Sequence, residues 1–278
     1  MIVFPNCKIN LGLHITRKRE DGFHNLETTF YPLGIKDALE IIRQPIADAP
    51  TTFSSNGITI EGKAEDNLCI KAYQLLKKDF PQLPNIQLHL HKVIPMGAGL
   101  GGGSSDAAFA LQLLNNKFQL GITAEKMIDY ALQLGSDCPF FIINQPCYAT
   151  GRGELLEKIA LDLSAYHFVI VNPSIHVNTG WAFSKLSGRL QRPESSSTKS
   201  IKEIIQQPNE TWKDELINDF EKPVFEKYPE IKSVKDKLYQ AGAIYASMSG
   251  SGSTVYGLFS SNPALANSYP DNYFVKQL

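Results

Sequence analysis

The chain has 278 residues, of which 43% are apolar and 20% charged; 27 basic and 28 acidic side chains give a formal net charge of −1. This composition is typical of a soluble globular protein, and the length suggests one large domain or two of moderate size. Balanced charge without a block of Lys or Arg argues against nucleic acid as the main partner. No apolar run approaches the roughly 20 residues that span a bilayer, so no membrane partner is expected.

The cysteines and the N-terminus indicate the compartment. None of the four cysteines forms a C-x-x-C pair or a zinc-site spacing, and the first residues run into an alternating pattern without an apolar leader. We therefore expect reduced thiols in a cytoplasmic protein.

The first half of the chain predicts a mixture of strands and helices. Alternation and apolar spacing predict strands over residues 9–15, 38–42 and 86–90, a turn at Asp21-Gly22, and helices over 68–80, 104–114 and from Thr123 to about Gly135. His89 and His91 fall on the polar face of the third strand, where solvated side chains are expected.

The second half predicts strands at 167–171, 244–248 and 254–259, and helices at 179–186, 201–206, 215–228 and 231–241. Residues 193–198 form the most linker-like stretch. Strands and helices without regular βα alternation favour an α+β class. We place a domain boundary between Cys147 and Tyr166, which gives domains of residues 1–155 and 156–278.

A glycine run is the strongest chemical signal. Five of the seven residues from Gly97 to Gly103 are glycine, and a helix follows directly. Glycines allow backbone N–H groups to approach a ligand closely, and the start of a helix attracts anions. Ser104 and Ser105 can cap the helix or contact a phosphate or its Mg²⁺. We therefore predict a phosphate-binding loop.

Other phosphate-binding motifs do not fit this run. No Lys precedes Ser104, which excludes a P-loop. Gly97, Gly99 and Gly102 satisfy G-x-G-x-x-G, but a second helix follows the first where a dinucleotide-binding fold requires a strand. Neither H-R-D nor D-F-G occurs, which excludes a protein kinase.

Residues 95–108 (PMGAGLGGGSSDAA) resemble the central motif of the galactokinase, homoserine kinase, mevalonate kinase and phosphomevalonate kinase (GHMP) superfamily. Residues 5–11 (PNCKINL) are similar to its first motif, and residues 249–253 (SGSGS) are similar to its third. These motifs stand in the right order and extend over most of the chain. Residues 21–24, 65–68 and 134–139 most resemble the branch that acts on a cytidine diphosphate-linked methylerythritol.

The resemblance implies a two-domain GHMP kinase. Its N-terminal domain (1–155) would resemble the second domain of ribosomal protein S5 and bind ATP, and its ferredoxin-like C-terminal domain (156–278) would complete the substrate cleft. ATP with Mg²⁺ would phosphorylate the 2-hydroxyl of the small-molecule substrate, in the non-mevalonate isoprenoid pathway. The implied protein is a monomer or weak dimer.

The resemblance also assigns roles to residues. Asp137 would act as the catalytic base and Lys8 would pair with it, while the metal ligands stay unassigned. The residues expected to bind ATP are Asn67, Pro95, Met96, Gly97, Ala98, Gly99, Leu100, Gly101, Gly102, Gly103, Ser104 and Ser105. The residues expected to bind the substrate are Asn10, Phe23, His24, Thr179, Phe183 and Ser251.

Alternatives stay open on the residues alone. Asp137 could be a turn residue, Lys8 a solvated strand residue, and Phe23 and Phe183 ordinary core residues. The chain could be a homoserine- or mevalonate-type kinase, although the Phe23-His24 pair argues against it, or a catalytically silent nucleotide-binding protein. Phe23 stands where the family usually has Tyr, and the tail after Val275 is short.

Overall fold

The computed structural model describes residues 1–46, 49–186, 199–265 and 268–278. The predicted linker-like stretch at 193–198 lies outside these ranges. The described residues form two compact units, each assembled from separate segments of the chain. Unit 1 consists of Met1–Cys7, Pro32–Met96 and Gly101–Gln145, and unit 2 consists of Lys8–Tyr31, Gly97–Leu100 and Pro146–Leu278. The glycine run is therefore divided between the units, and the boundary at residue 155 stays a prediction.

The strands and helices are numbered in chain order. The strands are β1 (Ile2–Val3), β2 (Asn6–Lys18), β3 (His24–Lys36), β4 (Ala38–Arg43), β5 (Thr52–Gly57), β6 (Ile86–Lys92), β7 (Cys147–Thr150), β8 (Leu155–Lys158), β9 (His167–Asn172), β10 (Tyr245–Met248), β11 (Val255–Phe259) and β12 (Phe274–Gln277). The helices are α1 (Leu68–Asp79), α2 (Gly102–Phe118), α3 (Ala124–Leu134), α4 (Cys138–Ile143), α5 (Thr179–Leu186), α6 (Ile201–Ile204), α7 (Trp212–Glu215), α8 (Glu221–Lys227) and α9 (Pro229–Gln240).

Unit 1 contains a sheet with strand order β1-β4-β6-β5, in which β5 runs parallel to β6 and the other pairs are antiparallel. Leu88 and Leu90 of β6 enter a core shared with α1, α2 and α3, as their alternation predicts. Side chains cap two of these helices. Asn67 accepts a hydrogen bond from Cys69 N (2.9 Å) before α1, and Thr123 accepts one from Lys126 N (3.3 Å) before α3.

Unit 2 contains an antiparallel sheet of order β10-β11-β9-β12, and β2 and β3, mostly in this unit, join β7 and β8 in another. Val169 and Val171 of β9 and Val255 of β11 share a core with Val234 and Leu238 of α9. The short tail forms β12, which pairs with β9 from Phe274 onward. The last strand therefore has a partner within this unit.

Several predicted elements differ in extent from the observed ones. Strand β2 covers Asn6–Lys18 against the predicted 9–15, and α6 ends at Ile204 against the predicted 201–206. Residues 215–228 do not form one helix, because α7 ends at Glu215 and α8 begins at Glu221. Between them Asn218 Nδ2 donates to Met248 O (2.7 Å) and Gly250 O (2.8 Å), which takes this segment out of a helical path. Helix α2 begins at Gly102, two residues before the predicted start at Ser104.

Candidate active site

A cavity of about 350 Å³ opens in unit 1 beside the start of α2. Its lining includes three residues predicted to bind ATP, namely Asn67, Met96 and Gly103. Pro95 and Met96 form the end of the segment that follows β6, and Met96 is 48% exposed. The cavity combines the first turn of α2 with the apolar side chains of Phe53, Ile60 and Leu90, which suits a flat apolar group that carries an anion.

The two glycines at the start of α2 serve different purposes. A Cβ on Gly102 would lie 2.9 Å from Ile94 Cγ2 and 3.0 Å from Lys92 Nζ, so packing within unit 1 requires glycine there. A Cβ on Gly103 would meet Leu68 at an ordinary 3.8 Å. Gly101, with φ of 69°, precedes them in the left-handed conformation that glycine favours.

The first turn of α2 offers groups that suit a phosphate and its cation. The first N–H groups of a helix lack intrahelical acceptors and attract anions. Ser104 and Ser105 lie in this turn. The Ser105 hydroxyl is buried and has no hydrogen-bond partner among the described residues. The N–H and hydroxyl groups can donate hydrogen bonds to phosphate oxygens. A hydroxyl oxygen can also coordinate Mg²⁺, a hard ion that prefers oxygen ligands.

Sequence reasoning missed a buried charge cluster that reaches this cavity. Lys92 Nζ donates to Asp37 Oδ2 (2.5 Å) and Asp106 Oδ2 (2.7 Å), and Lys92 and Asp106 line the cavity. Burial raises the pKa of Asp106 to about 7, against the opposing effect of Lys92. The sequence gives one indication that Lys92 is buried. In an alternating strand, Lys92 falls on the same face as the apolar residues Leu88 and Leu90.

Lys8 and Asn10 are buried together in unit 2. Lys8 Nζ donates to Asn10 Oδ1 at 2.5 Å and lies 4.8 Å from the Phe30 ring centroid. Asn10 Nδ2 donates to Thr28 Oγ1 (3.0 Å). Both side chains are almost wholly buried, so Lys8 is not the solvated strand residue that its position alone suggested.

The three motifs of the sequence meet within unit 2. The Ser249 hydroxyl donates to Gly99 O (2.8 Å) and accepts from Asn10 N (3.1 Å). Lys8 N donates to Leu100 O (3.0 Å). Gly99 has φ of 79°, and a Cβ there would collide with the Ser249 carbonyl. Residues from the first, central and third motifs therefore form one hydrogen-bonded group.

Ala98 and two predicted substrate-binding residues extend this group. Thr254 N donates to Ala98 O (3.2 Å). Thr179 Oγ1 and Ser251 Oγ lie 3.0 Å apart. Asn178 caps α5 by accepting a hydrogen bond from Trp181 N (2.8 Å). The structure thus brings Thr179 to the glycine-rich loop at 249–253.

The predicted aromatic residues also lie in unit 2. Phe23 is 52% exposed, which excludes the core interpretation for this residue. His24 stacks on Phe183 with ring centroids 5.0 Å apart and an interplanar angle of 21°. Burial, helped by the charge of Lys18, lowers the pKa of His24 and favours a neutral imidazole. The His24 Nε2 atom is buried without a hydrogen-bond partner among the described residues.

Asp137 belongs to unit 1 and occupies the position before α4, partly exposed. Burial, together with the charge of Asp137, raises the pKa of the neighbouring Cys138 to about 12, so this thiol stays protonated. Lys8 belongs to unit 2, and its pairing with Asp137 stays a prediction.

The described residues contain no cluster of three or more acidic, His or Cys side chains that could hold a metal ion by themselves. An Mg²⁺ ion in a kinase is held largely by substrate phosphates, so a preformed cage is not required. In the described part of the chain, every helix is too short or too polar to cross a bilayer.

Comparison with known proteins identifies the class. Residues 67–145 match the model of the GHMP kinases N terminal domain, and residues 193–271 match that of the GHMP kinases C terminal. The chain belongs to the GHMP kinases. The predicted α+β class and two-domain GHMP fold are confirmed.

Several proteins about half identical to this chain come from one branch of the GHMP kinases. A 4-diphosphocytidyl-2-C-methyl-D-erythritol kinase from Bacteroides thetaiotaomicron is 53% identical over 259 residues, covering 93% of this chain and 92% of the relative. The same enzyme from Cytophaga hutchinsonii is 48% identical over 95% of this chain and 94% of its own. A crystal structure of 4-(cytidine 5'-diphospho)-2C-methyl-D-erythritol kinase matches with a TM-score of 0.75 and 31% identity, covering 93% and 90% of the two chains.

Proposed function

We propose that this chain is an ATP-dependent kinase that phosphorylates the 2-hydroxyl of 4-diphosphocytidyl-2-C-methyl-D-erythritol in the non-mevalonate isoprenoid pathway. The relatives that carry this name cover nine tenths of the chain at about half identity. A mevalonate kinase from L. major is only 16% identical with a TM-score of 0.72, which supports the fold alone. A cytoplasmic monomer or weak dimer is expected.

One observation carries the proposal, namely the meeting of the three motifs at Ser249. Its hydroxyl connects Gly99 to the backbone of Asn10, whose side chain accepts from Lys8. This arrangement serves a phosphotransferase, which must hold phosphates and orient a hydroxyl.

We assign ATP to the cavity of unit 1 and to the glycine run. Asn67 would lie nearer the adenine, and backbone N–H groups between Gly97 and Ser105 would hold the phosphates. The hydroxyls of Ser104 and Ser105 are the candidate Mg²⁺ contacts. When bound, Mg²⁺ would neutralise charge between the β- and γ-phosphates.

The residues of this chain would then position the nucleophile. Asp137 would take the proton of the 2-hydroxyl as general base, and Lys8, directed by Asn10, would orient that hydroxyl. Phe23 and Phe183 would contact the cytosine faces, His24 would contact its edge, and Asn10, Thr179 and Ser251 would contact the sugar or diphosphate.

Substrate panels test this function. The protein is incubated with ATP, Mg²⁺ and, separately, the cytidine diphosphate substrate, mevalonate or homoserine, and ADP is counted. We expect turnover with the first substrate alone and none after Mg²⁺ is removed by chelation. Turnover of mevalonate or homoserine instead would reassign the substrate, and no turnover of any alcohol would favour a silent binding protein.

The base is tested by Asp137→Asn, for which we expect a kcat lower by about 10²–10⁴ with nearly unchanged ATP affinity. The matched control is Asp129→Asn, which removes an exposed carboxylate from α3 of the same unit and should leave kcat unchanged. Wild-type kcat in Asp137→Asn at saturating substrate would show that Asp137 is not the base.

A further inference from the structure

An arginine that the proposed function does not use covers one face of Phe23. The guanidinium carbon of Arg152 lies 4.3 Å from the Phe23 ring centroid. A guanidinium is flat, and the negative face of an aromatic ring attracts it. Because Phe23 is still 52% exposed, the opposite face of the ring is open to a ligand.

The turn between β2 and β3 fixes the backbone of Phe23. Its N–H donates to Asp21 Oδ1 (3.1 Å), and its carbonyl accepts from Arg19 N (2.8 Å). Arg19 also forms an ion pair with Asp21 at 2.9 Å. Slight desolvation would raise the pKa of Asp21, but these hydrogen bonds and the charges of Arg19 and Arg152 lower it. The ionised carboxylate of Asp21 therefore fixes the backbone of Phe23 in this turn.

The turn between β7 and β8 fixes the backbone of Arg152 in the same way. Arg152 N donates to Glu154 Oε2 at 2.5 Å. Strand β3, which follows the first turn, contacts this second turn where Leu26 N donates to Gly151 O (2.7 Å). Gly151 has φ of 70°, and a Cβ there would lie 2.8 Å from Glu154 Oε2, so the turn requires glycine. The stacking of Arg152 on Phe23 thus follows from two fixed turns.

We propose that Arg152 is a positioning residue for the substrate, which holds the Phe23 ring so that its open face stacks on a pyrimidine base. This inference rests on the proposed cytidine diphosphate substrate. A ring that is already ordered loses less freedom when the base binds, which strengthens binding. A cation on the far face also anchors the ring without the hydroxyl of the Tyr that the family usually has at this position.

The test separates the action of Arg152 through Phe23 from a direct effect of its charge. Arg152→Gln keeps a long side chain and removes the guanidinium, and Arg152→Lys keeps the charge without the plane. Each is made in the wild type and in a Phe23→Ala background. The readouts are KM for the cytidine substrate, KM for ATP, kcat, and the affinity for CDP by equilibrium titration.

In the wild-type background we expect Arg152→Gln to raise KM for the cytidine substrate and Kd for CDP about three- to tenfold. KM for ATP and kcat should stay within about twofold of the wild type, and Arg152→Lys should have a smaller effect. In the Phe23→Ala background the same replacement should change nothing further, because the ring through which Arg152 acts is absent. Arg43→Gln, at the exposed end of β4, is the matched control and should leave all four values unchanged.

Two results would overturn the inference. An unchanged or lower KM in Arg152→Gln would show that the arginine does not support the base-binding ring. A full effect that persists in Phe23→Ala would show that charge attracts the diphosphate directly. Failure of the proposed function is distinguishable, because the wild type would then not phosphorylate the cytidine substrate at all.

Discussion

At the residue scale, the Lys92 cluster combines one cation with two carboxylates in the interior of unit 1. Asp37 is well satisfied, since its Oδ1 also accepts from Val93 N (2.5 Å) and Ile94 N (2.9 Å). Asp106 Oδ1 is buried and has no hydrogen-bond partner among the described residues. Of the two carboxylates, Asp106 therefore carries the larger free-energy cost of burial, because its hydrogen bonding is incomplete.

This cluster predicts a pH dependence of stability. The pKa of Asp106 is raised from 3.8 to about 7, chiefly by burial. The folded protein then binds a proton that the unfolded chain releases near pH 4, so the contribution of Asp106 to stability is lost as pH rises from about 4 to 7. Relative to Asp106→Asn, the wild type should lose roughly 1–3 kcal/mol of unfolding free energy across that window.

Urea unfolding of both proteins at several pH values from 4.5 to 8 measures this difference. The variant also loses part of the ion pair with Lys92, which shifts its stability curve as a whole. The slope of the difference between the curves is therefore the decisive quantity. Parallel curves would mean that Asp106 is ionised throughout.

At the element scale, helix α2 and strand β6 show what a sequence pattern can predict. The alternation of β6 and the small-residue spacing of α2 predict both elements, because burial follows the period of each structure. The same patterns predict where a phosphate-binding loop lies. They do not predict that Gly102 is required by the packing of Ile94 and Lys92, since those contacts depend on the tertiary structure.

The two glycines of α2 give a matched pair of variants. Gly102→Ala should destabilise the protein by about 1–3 kcal/mol, because its Cβ would overlap Ile94 and Lys92. Gly103→Ala should cost no stability, because its Cβ has room beside Leu68 and alanine favours the helix. It should weaken ATP binding, because Gly103 lines the cavity.

Urea unfolding and titration with a non-hydrolysable ATP analogue distinguish these outcomes. Each variant serves as the control for the other. Unchanged nucleotide affinity in Gly103→Ala would remove this part of α2 from the phosphate site. Unchanged stability in Gly102→Ala would mean that Ile94 and Lys92 can move aside.

Elements whose register depends on distant partners escape sequence analysis. Residues 216–220 interrupt a predicted helix because Asn218 donates hydrogen bonds to Met248 and Gly250, about thirty residues away in the chain. The Arg152–Phe23 contact depends on two turns that the pairing of β3 with β7 brings together. The motifs could be found because their residue types are tied to chemistry, whereas these supporting residues are defined by their neighbours.

At the scale of the whole molecule, the cysteines report the opening of each unit. Cys7, Cys69, Cys138 and Cys147 are all buried, and none of these four takes part in a disulfide. Burial raises the pKa of Cys69 well above its usual range and that of Cys147 to about 11. A thiol-specific reagent at pH 8 should therefore label none of them in minutes in the native protein, and all four in denaturant.

Partial denaturation extends this prediction. Cys7, Cys69 and Cys138 belong to unit 1, and Cys147 belongs to unit 2. If each unit opens cooperatively, mass spectrometry at intermediate urea should find the first three labelled together. Labelling of Cys138 while Cys69 stays protected would show that unit 1 opens in smaller pieces.

The interleaving of the two units has a consequence for the newly made chain on the ribosome. Unit 1 has all of its residues once Gln145 has emerged, whereas unit 2 begins at Lys8 and needs Leu278. Strand β3 lies between β2 and β7 in its sheet, and β7 starts at Cys147, more than a hundred residues after Tyr31. Because translation adds about 5–20 residues per second, roughly 5–25 seconds pass between the synthesis of residues 8–31 and that of β7. During that interval Leu13 and Ile15 lack the residues of β9, β11 and α9 with which they share a core in the finished protein, so this early segment is where nascent-chain chaperones have most to shield.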